Sequence, residues 1–165
     1  ARLTKDINSM HSGNQDIVQS IDSLARALGR PVRTFQKYLD NGTVTRQTTT
    51  AQVAVTGIAI SYTAPDYPVV LFVMSSVLMT ASGATPIRYG VTQGGALFGN
   101  YTYDIISNWT NQTSWGILPV AAGATVALGA QMDGSGVTTT IANSNADPTS
   151  KYSIYGYIEF RAGNV

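Results

Sequence analysis

Residues 69–79, VVLFVMSSVLM, form the stretch of sequence that decides the fold. Apolar side chains occupy both alternating faces of this run, and Val and Phe favour extended backbone. The run is far too short to cross a bilayer as a helix, which takes about 20 apolar residues, so we expect no membrane insertion. The pattern predicts a strand buried on both sides, in the core of a sandwich or at a subunit contact.

Shorter strands separated by turn signals flank this central run. Residues 47–62 alternate apolar and polar side chains, and the alternation slips after Gly57, which predicts a β-bulge there. Further strands are predicted at residues 87–91, 96–106, 115–120, 125–132, 138–142 and 152–160, with Gly-Gly, Asp-Gly and Asp-Pro turns among them. Short strands at this spacing predict a mainly β fold, a jelly-roll β-sandwich.

Residues 1–40 differ in composition from the rest of the chain. They hold most of the Lys and Arg residues, whereas Thr, Ala, Gly and Val dominate beyond Asn41-Gly42, a dipeptide that favours a turn. We therefore expect two parts: a helical stalk or attachment segment over residues 1–40 and a β-sandwich head over residues 41–165.

Within the first part, apolar side chains recur with the three- and four-residue spacing of a heptad repeat. Gly29 and Pro31 are signals that end a helix. The pattern predicts a short coiled coil with an oligomer interface along its seam, although the seam residues do not choose between two and three strands. The seam consists of Leu3, Ile7, Met10, Asn14, Ile17, Ile21, Leu24 and Leu28.

Asn14 occupies one seam position and has two interpretations. A buried Asn in a coiled coil fixes register and oligomeric state. Alternatively, Gly13 interrupts the helix and Asn14 caps a shorter one, because Gly costs about 1 kcal/mol relative to Ala inside a helix. The sequence leaves the continuous and the broken helix open.

Side chains that carry chemistry are scarce in this chain. It has no Cys, its one His is His11 in the predicted stalk, and its formal net charge is +1. The absence of Cys excludes thiol chemistry, and the position of the one His excludes a Ser-His-Asp triad in the head. The net charge lacks the basic excess of a protein that binds duplex nucleic acid. Asp104 and Asp133 are the pair to test for a glycosidase, but Asp133-Gly134 favours a turn. We expect no enzyme, metal site, cofactor or nucleic-acid partner.

The stretch 98–115 interleaves aromatic side chains with Asn, Asp and Gln. Aromatic rings stack on the C–H faces of sugars, and the polar groups can hydrogen-bond to hydroxyls. The same residue types are common in protein interfaces and under long loops, so sugar binding, subunit contact and plain packing all remain open. The candidate ligand-binding residues are Tyr101, Tyr103, Asp104, Asn108, Trp109 and Trp115.

Two C-terminal stretches resemble strands of the C1q/TNF-like jelly roll. Residues 120–128, VAAGATVAL, are similar to a Gly-containing strand start of that superfamily. Residues 152–160, YSIYGYIEF, are similar to its final strand, with Gly156 in the glycine position. The overall plan, a helical segment followed by a β head over residues 43–165, also resembles bacteriophage receptor-binding and head-fibre proteins.

The resemblance implies a homotrimer with aromatic residues of the final strand near the three-fold axis. It places Tyr155, Tyr157 and Phe160 at the oligomer interface. Ala124 stands where relatives usually carry Asp. The resemblance therefore does not support a calcium role at that position.

Together these observations lead us to expect a virion protein: a trimeric fibre or knob that attaches a bacteriophage to its host by binding a cell-surface carbohydrate. Residues 1–40 would dock on other virion proteins. One alternative is a capsid decoration or head-fibre protein whose head is mainly structural, and another is a C1q-like assembly module without a ligand. As a virion component, the protein would be made in the host cytoplasm and act in the extracellular particle.

Overall fold

The computed structural model describes residues 31–39, 45–48, 52–106, 108–133, 137–142 and 153–162. Within these ranges no helix is long and apolar enough to cross a bilayer. The coiled-coil prediction lies at residues 1–28, outside the described part of the chain. The described strands are β1 (Pro31–Tyr38), β2 (Thr45–Thr48), β3 (Val53–Thr63), β4 (Val69–Ala81), β5 (Thr85–Gln93), β6 (Ala96–Ile106), β7 (Thr110–Val120), β8 (Thr125–Asp133), β9 (Thr138–Ile141) and β10 (Ile154–Arg161).

The strands form two antiparallel sheets that pack face to face. The larger sheet has the order β1-β10-β4-β9-β2, and β7 pairs with the other edge of β4. The smaller sheet has the order β3-β8-β5-β6. The chain passes repeatedly from one sheet to the other, for example after β3, β4, β6 and β7, which is the jelly-roll pattern. The prediction of a mainly β sandwich is confirmed over the described residues.

β4 is the central strand of the larger sheet, and its alternate side chains face the smaller sheet. Leu71, Val77 and Met79 are buried there, in two clusters that also include Tyr89 of β5. Phe72 points to the opposite side of the strand and is buried as well. The prediction that residues 69–79 form a strand apolar on both faces is therefore confirmed.

The predicted bulge at Gly57 is also confirmed. Gly57 has φ of 89°, a left-handed conformation that glycine adopts without steric cost. The pairing of β3 with β8 shifts register between Ala54 and Ala59, on either side of this glycine. The bulge explains why the apolar alternation changes phase within the strand.

The N-terminal boundary of the head differs from the prediction. Residues 31–38 were expected in the stalk segment, but they form β1, which pairs with β10 along its length. The sandwich therefore includes residues 31–38, which come before residue 41. β1 is an edge strand, and its described side chains from Val32 to Lys37 are exposed. The sequence of β1 therefore lacks the apolar and polar alternation by which a half-buried strand is recognised.

Candidate functional site

The aromatic stretch lies on the edge strands of the two sheets. β6 ends at Ile106, as predicted, but β7 begins at Thr110, so most of the segment between the predicted strands 96–106 and 115–120 is also strand. β6 is the edge of the smaller sheet and β7 the edge of the larger one. The start of β7 escaped prediction because its inward side chains, Gln112 and Ser114, are polar although they are buried.

Hydrogen bonds between the two edges close this side of the sandwich. The Ser114 hydroxyl accepts from the Val91 amide (2.9 Å) and donates to the Asn100 carbonyl (2.7 Å). The Trp115 amide donates to Asn100 Oδ1 at 2.6 Å. Gly99 has φ of 76°, and a Cβ there would collide with the Trp115 carbonyl. This junction joins β6 to β7 through Asn100.

Three large side chains of β6 alternate along the outer face of the smaller sheet. Tyr101, Tyr103 and Ile105 are 56%, 65% and 66% exposed. They are opposite Gly90, Arg88 and Pro86 of β5, whose neighbours Ile87 and Tyr89 point into the core. We call the surface formed by Tyr101, Tyr103, Ile105 and Arg88 the tyrosine face.

Arg88 is the polar centre of the tyrosine face, and the sequence analysis missed it. Its Nε lies 3.4 Å from Asp133 Oδ2, and its guanidinium carbon lies 5.9 Å from the centre of the Tyr101 ring. Asp133 Oδ1 also accepts from the Arg88 backbone amide at 3.2 Å. The Arg88 side chain is 44% exposed, whereas that of Asp133 is 9% exposed. Arg88 is the one charged residue in the predicted strand 87–91, and this charge was the signal that could have indicated an outward-facing position.

The remaining predicted residues around the end of β6 have more varied roles. Asp104 points towards β7 and accepts from Gln112 Nε2 at 3.3 Å and from the Ile105 amide at 2.9 Å. It therefore links the two edges. Asn108 and Trp109 lie in the short connection to β7, where the Trp109 side chain is 52% exposed.

Trp115 lies apart from the two tyrosines. It is opposite Met74 of β4, on the outer face of the larger sheet. Its ring stacks on Phe72 with 5.7 Å between ring centres. The structure therefore places Tyr101 and Tyr103 together but puts Trp115 on the opposite outer face of the sandwich.

The surface around Trp115 is apolar. We call it the outer apolar face of the larger sheet, and it includes a cavity of about 290 Å³ whose lining includes Phe72, Met74, Ile154 and Ile158. It continues across β7 to Ile117, which is 41% exposed. Alternation along the paired strands places these side chains on one face.

The structure corrects the predicted interface residues of the final strand. Tyr155 and Tyr157 point into the sandwich and belong to its two hydrophobic clusters. Phe160 has no exposed surface. None of the three side chains offers surface to a second copy, because each is already packed within this chain. Ile154 and Ile158, at the alternate positions, are the β10 side chains on the outer apolar face.

An ion pair between the exposed Arg33 and the buried Glu159 joins the first and last strands at the rim of the sandwich. Glu159, 2% exposed, accepts from Arg33 Nε at 3.0 Å and from the Tyr62 hydroxyl at 2.9 Å. The hydrogen bond to Glu159 raises the pKa of Arg33. Burial, with the bond to Glu159, raises the pKa of Tyr62 to about 12. The cluster connects β1, β3 and β10.

The two carboxylates considered for glycosidase chemistry are both used within the chain. Asp104 bonds to Gln112, and Asp133 pairs with Arg88. Among the described residues no group of three His, Cys, Asp or Glu side chains could hold a metal ion.

Comparison with known proteins rests on structure alone, since no family model and no curated protein sequence matches the chain. The Eiger TNF from S. frugiperda superposes with a TM-score of 0.50 at 11% identity, over 82% of this chain and 97% of that one. The sugar-binding EclA C-terminal domain gives 0.37 at 12% identity, over 66% and 73%. Dimeric latent PorU from Porphyromonas gingivalis gives 0.40 at 8% identity, over 81% and 14%. The first of these likenesses shows the fold: the chain has a TNF-like jelly-roll β-sandwich.

Proposed function

We propose that this chain is the head of a homotrimeric virion attachment protein. It binds a cell-surface glycan through the tyrosine face and does not cleave it. The observation that supports the binding role is the exposure of Tyr101 and Tyr103, at 56% and 65%, on a strand that pairs with β5 and is hydrogen-bonded to β7. Single exposed apolar side chains are ordinary, but aligned aromatic rings beside a fixed charged group are typical of a recognition surface.

The chemistry of the tyrosine face suits a sugar. A pyranose ring offers an apolar C–H face that can stack on Tyr101 or Tyr103, and the hydroxyls around that ring need donors and acceptors. Arg88 supplies donors, and the phenol hydroxyls supply both. Because these groups lie on paired strands, little conformational entropy is lost when a ligand binds.

The outer apolar face of the larger sheet supports the proposed homotrimer. Phe72 is already buried within the chain, but Ile117 is 41% exposed, and apolar side chains left exposed beside one another are commonly covered by a partner. Contact between copies there would cover Trp115, Ile117 and Ile158 and leave the tyrosine face, on the other sheet, free for ligand. In this arrangement Tyr101 and Tyr103 bind the sugar, and Trp115 lies in the contact between subunits.

A glycan array tests the proposal. The full chain should bind a subset of glycans, and the double variant Tyr101→Ser/Tyr103→Ser should lose that binding while keeping its circular dichroism spectrum and mass in solution. Val32→Ser is the control, because Val32 is an exposed apolar residue of β1 that belongs neither to the tyrosine face nor to the lining of the cavity on the larger sheet. Unchanged binding by the double variant would exclude this face as the glycan site.

A further inference from the structure

We infer that Arg88 selects an uncharged sugar on the tyrosine face by donating hydrogen bonds to its hydroxyl oxygens, and that Asp133 is the positioning residue that makes this selection possible. The inference rests on the proposed glycan-binding function and names the ligand class of the same site. Arg88 and Asp133 both lie outside the aromatic stretch 98–115.

The position of Arg88 is restrained from three directions. Tyr103 is its cross-strand neighbour, Tyr101 lies under its guanidinium, and Asp133 holds Nε at 3.4 Å. An arginine side chain ordinarily loses considerable rotamer entropy when it binds a ligand. Because these contacts already restrict Arg88, its 44% exposed side chain has less rotamer freedom left to lose when it binds a ligand.

Asp133 is placed to orient Arg88 rather than to bind ligand. Its two oxygens are directed to one residue, Oδ1 to the backbone amide of Arg88 and Oδ2 to its guanidinium. With 9% of its side chain exposed, Asp133 lies behind the guanidinium as seen from solvent. A ligand therefore meets the donors of Arg88 first.

The charge of the pair indicates which ligand it accepts. Arg88 and Asp133 together are neutral, so a sugar hydroxyl gains a charge-assisted hydrogen bond without bringing a charge of its own. A ligand carboxylate or sulfate would meet an arginine whose charge Asp133 already offsets, so its attraction to Arg88 would be reduced while the cost of removing the anion from water would remain. The geometry thus favours a neutral hexose or deoxyhexose over an acidic sugar.

This preference is tested by titrating the full chain with a neutral oligosaccharide and with its sialylated form, at about 50 mM and about 500 mM NaCl. We expect the neutral ligand to bind more tightly, with less than about a twofold change across the salt range. Arg88→Met should weaken that binding at least about tenfold, as expected when hydrogen bonds from a charged donor are lost.

Asp133→Asn is the second variant, because it keeps the shape of the side chain and removes its charge. We expect it to weaken neutral-sugar binding several-fold and to improve binding of the sialylated form, with a new salt dependence. Arg88→Lys should not restore binding, since a lysine cannot make the same fixed fork. Thermal unfolding of each variant checks that the fold is retained.

Failure of this inference is distinct from failure of the proposed function. Preferred, salt-sensitive binding of the sialylated ligand would show that Arg88 binds an anion and would overturn the inference. So would neutral-sugar binding that Arg88→Met leaves intact while Tyr101→Ser abolishes it. If Tyr101→Ser also leaves binding intact, the glycan site itself is misplaced and the proposed function fails with it.

Discussion

Tyr101 and Trp115 belong to one aromatic stretch of sequence but lie on opposite outer faces of the sandwich. Tyr101 is on the tyrosine face of the smaller sheet, where it contacts Arg88. Trp115 stacks on Phe72 on the outer apolar face of the larger sheet. Substitutions at the two positions should therefore affect different properties of the protein.

Ile158→Asp should convert the oligomer to monomers. The new carboxylate would lie on the outer apolar face, and burying an unpaired charge between copies is strongly unfavourable. Mass measurement in solution at micromolar concentration gives the oligomeric state. Ile105→Asp is the matched control, because it places the same charge on the tyrosine face and should leave the oligomer intact. A wild-type chain that is monomeric under these conditions would contradict the proposed trimer.

Glu159→Gln should lower the free energy of unfolding by about 1–3 kcal/mol, as expected when a buried charged hydrogen bond is weakened. Its partners Arg33 and Tyr62 would share an uncharged amide oxygen in place of the carboxylate. Chemical denaturation measures the change. Asp66→Asn is a suitable control, because this exposed carboxylate lies in a turn. Equal stability of the Glu159 and Asp66 variants would show that the ion pair contributes nothing to holding β1.

Tyr62 should titrate near its raised pKa of about 12, well above a free tyrosine. The folded chain keeps the phenol protonated while the unfolded chain loses the proton near pH 10, so the contribution of Tyr62 to stability is complete below pH 10 and falls between about pH 10 and about pH 12. Tyr62→Phe should remove this portion of the pH dependence. An ultraviolet absorbance titration of both proteins checks the assignment, and identical titration curves would refute it.

Gly156→Ala should loosen the contact between β1 and β10. A Cβ at this position would collide with the Phe35 carbonyl, which belongs to the paired strand. We expect faster amide hydrogen exchange in β1, with little change in the central strand β4, because local opening leaves the core packed. Uniform protection across both strands would show that the backbone absorbs the extra atom.

Much of the fold follows from local patterns in the sequence. The run 69–79 is apolar on both faces because β4 has core on one side and the outer apolar face on the other. The phase slip at Gly57 corresponds to a bulge. Such features are encoded by side-chain periodicity and by the conformational freedom of glycine, and both are visible without a structure.

The candidate site was harder to predict, because it depends on which face each strand turns inward. Tyr155 and Tyr157 are aromatic and alternate correctly, but the pattern alone does not say that they point into the core while Ile154 and Ile158 face outward. A shift of one residue exchanges the two faces of a strand.

The role of Arg88 depends on tertiary contacts that no local pattern shows. It faces Tyr103 across a strand pair, and its carboxylate partner Asp133 comes from a third strand. Asp133 was interpreted from sequence as a turn residue, and it does end β8. The ion pair across the sheet becomes apparent only once β5 and β8 are aligned.

The most direct test of the glycan site is a calorimetric titration with the best glycan from the array, comparing Tyr101→Ala with Trp115→Ala. Tyr101→Ala should weaken binding at least about tenfold, since stacking on the aromatic ring is lost. Trp115→Ala should change the affinity less than about twofold when the two proteins are compared in the same oligomeric state. The reverse result, with affinity lost in Trp115→Ala and retained in Tyr101→Ala, would exclude the tyrosine face and place the site on the larger sheet.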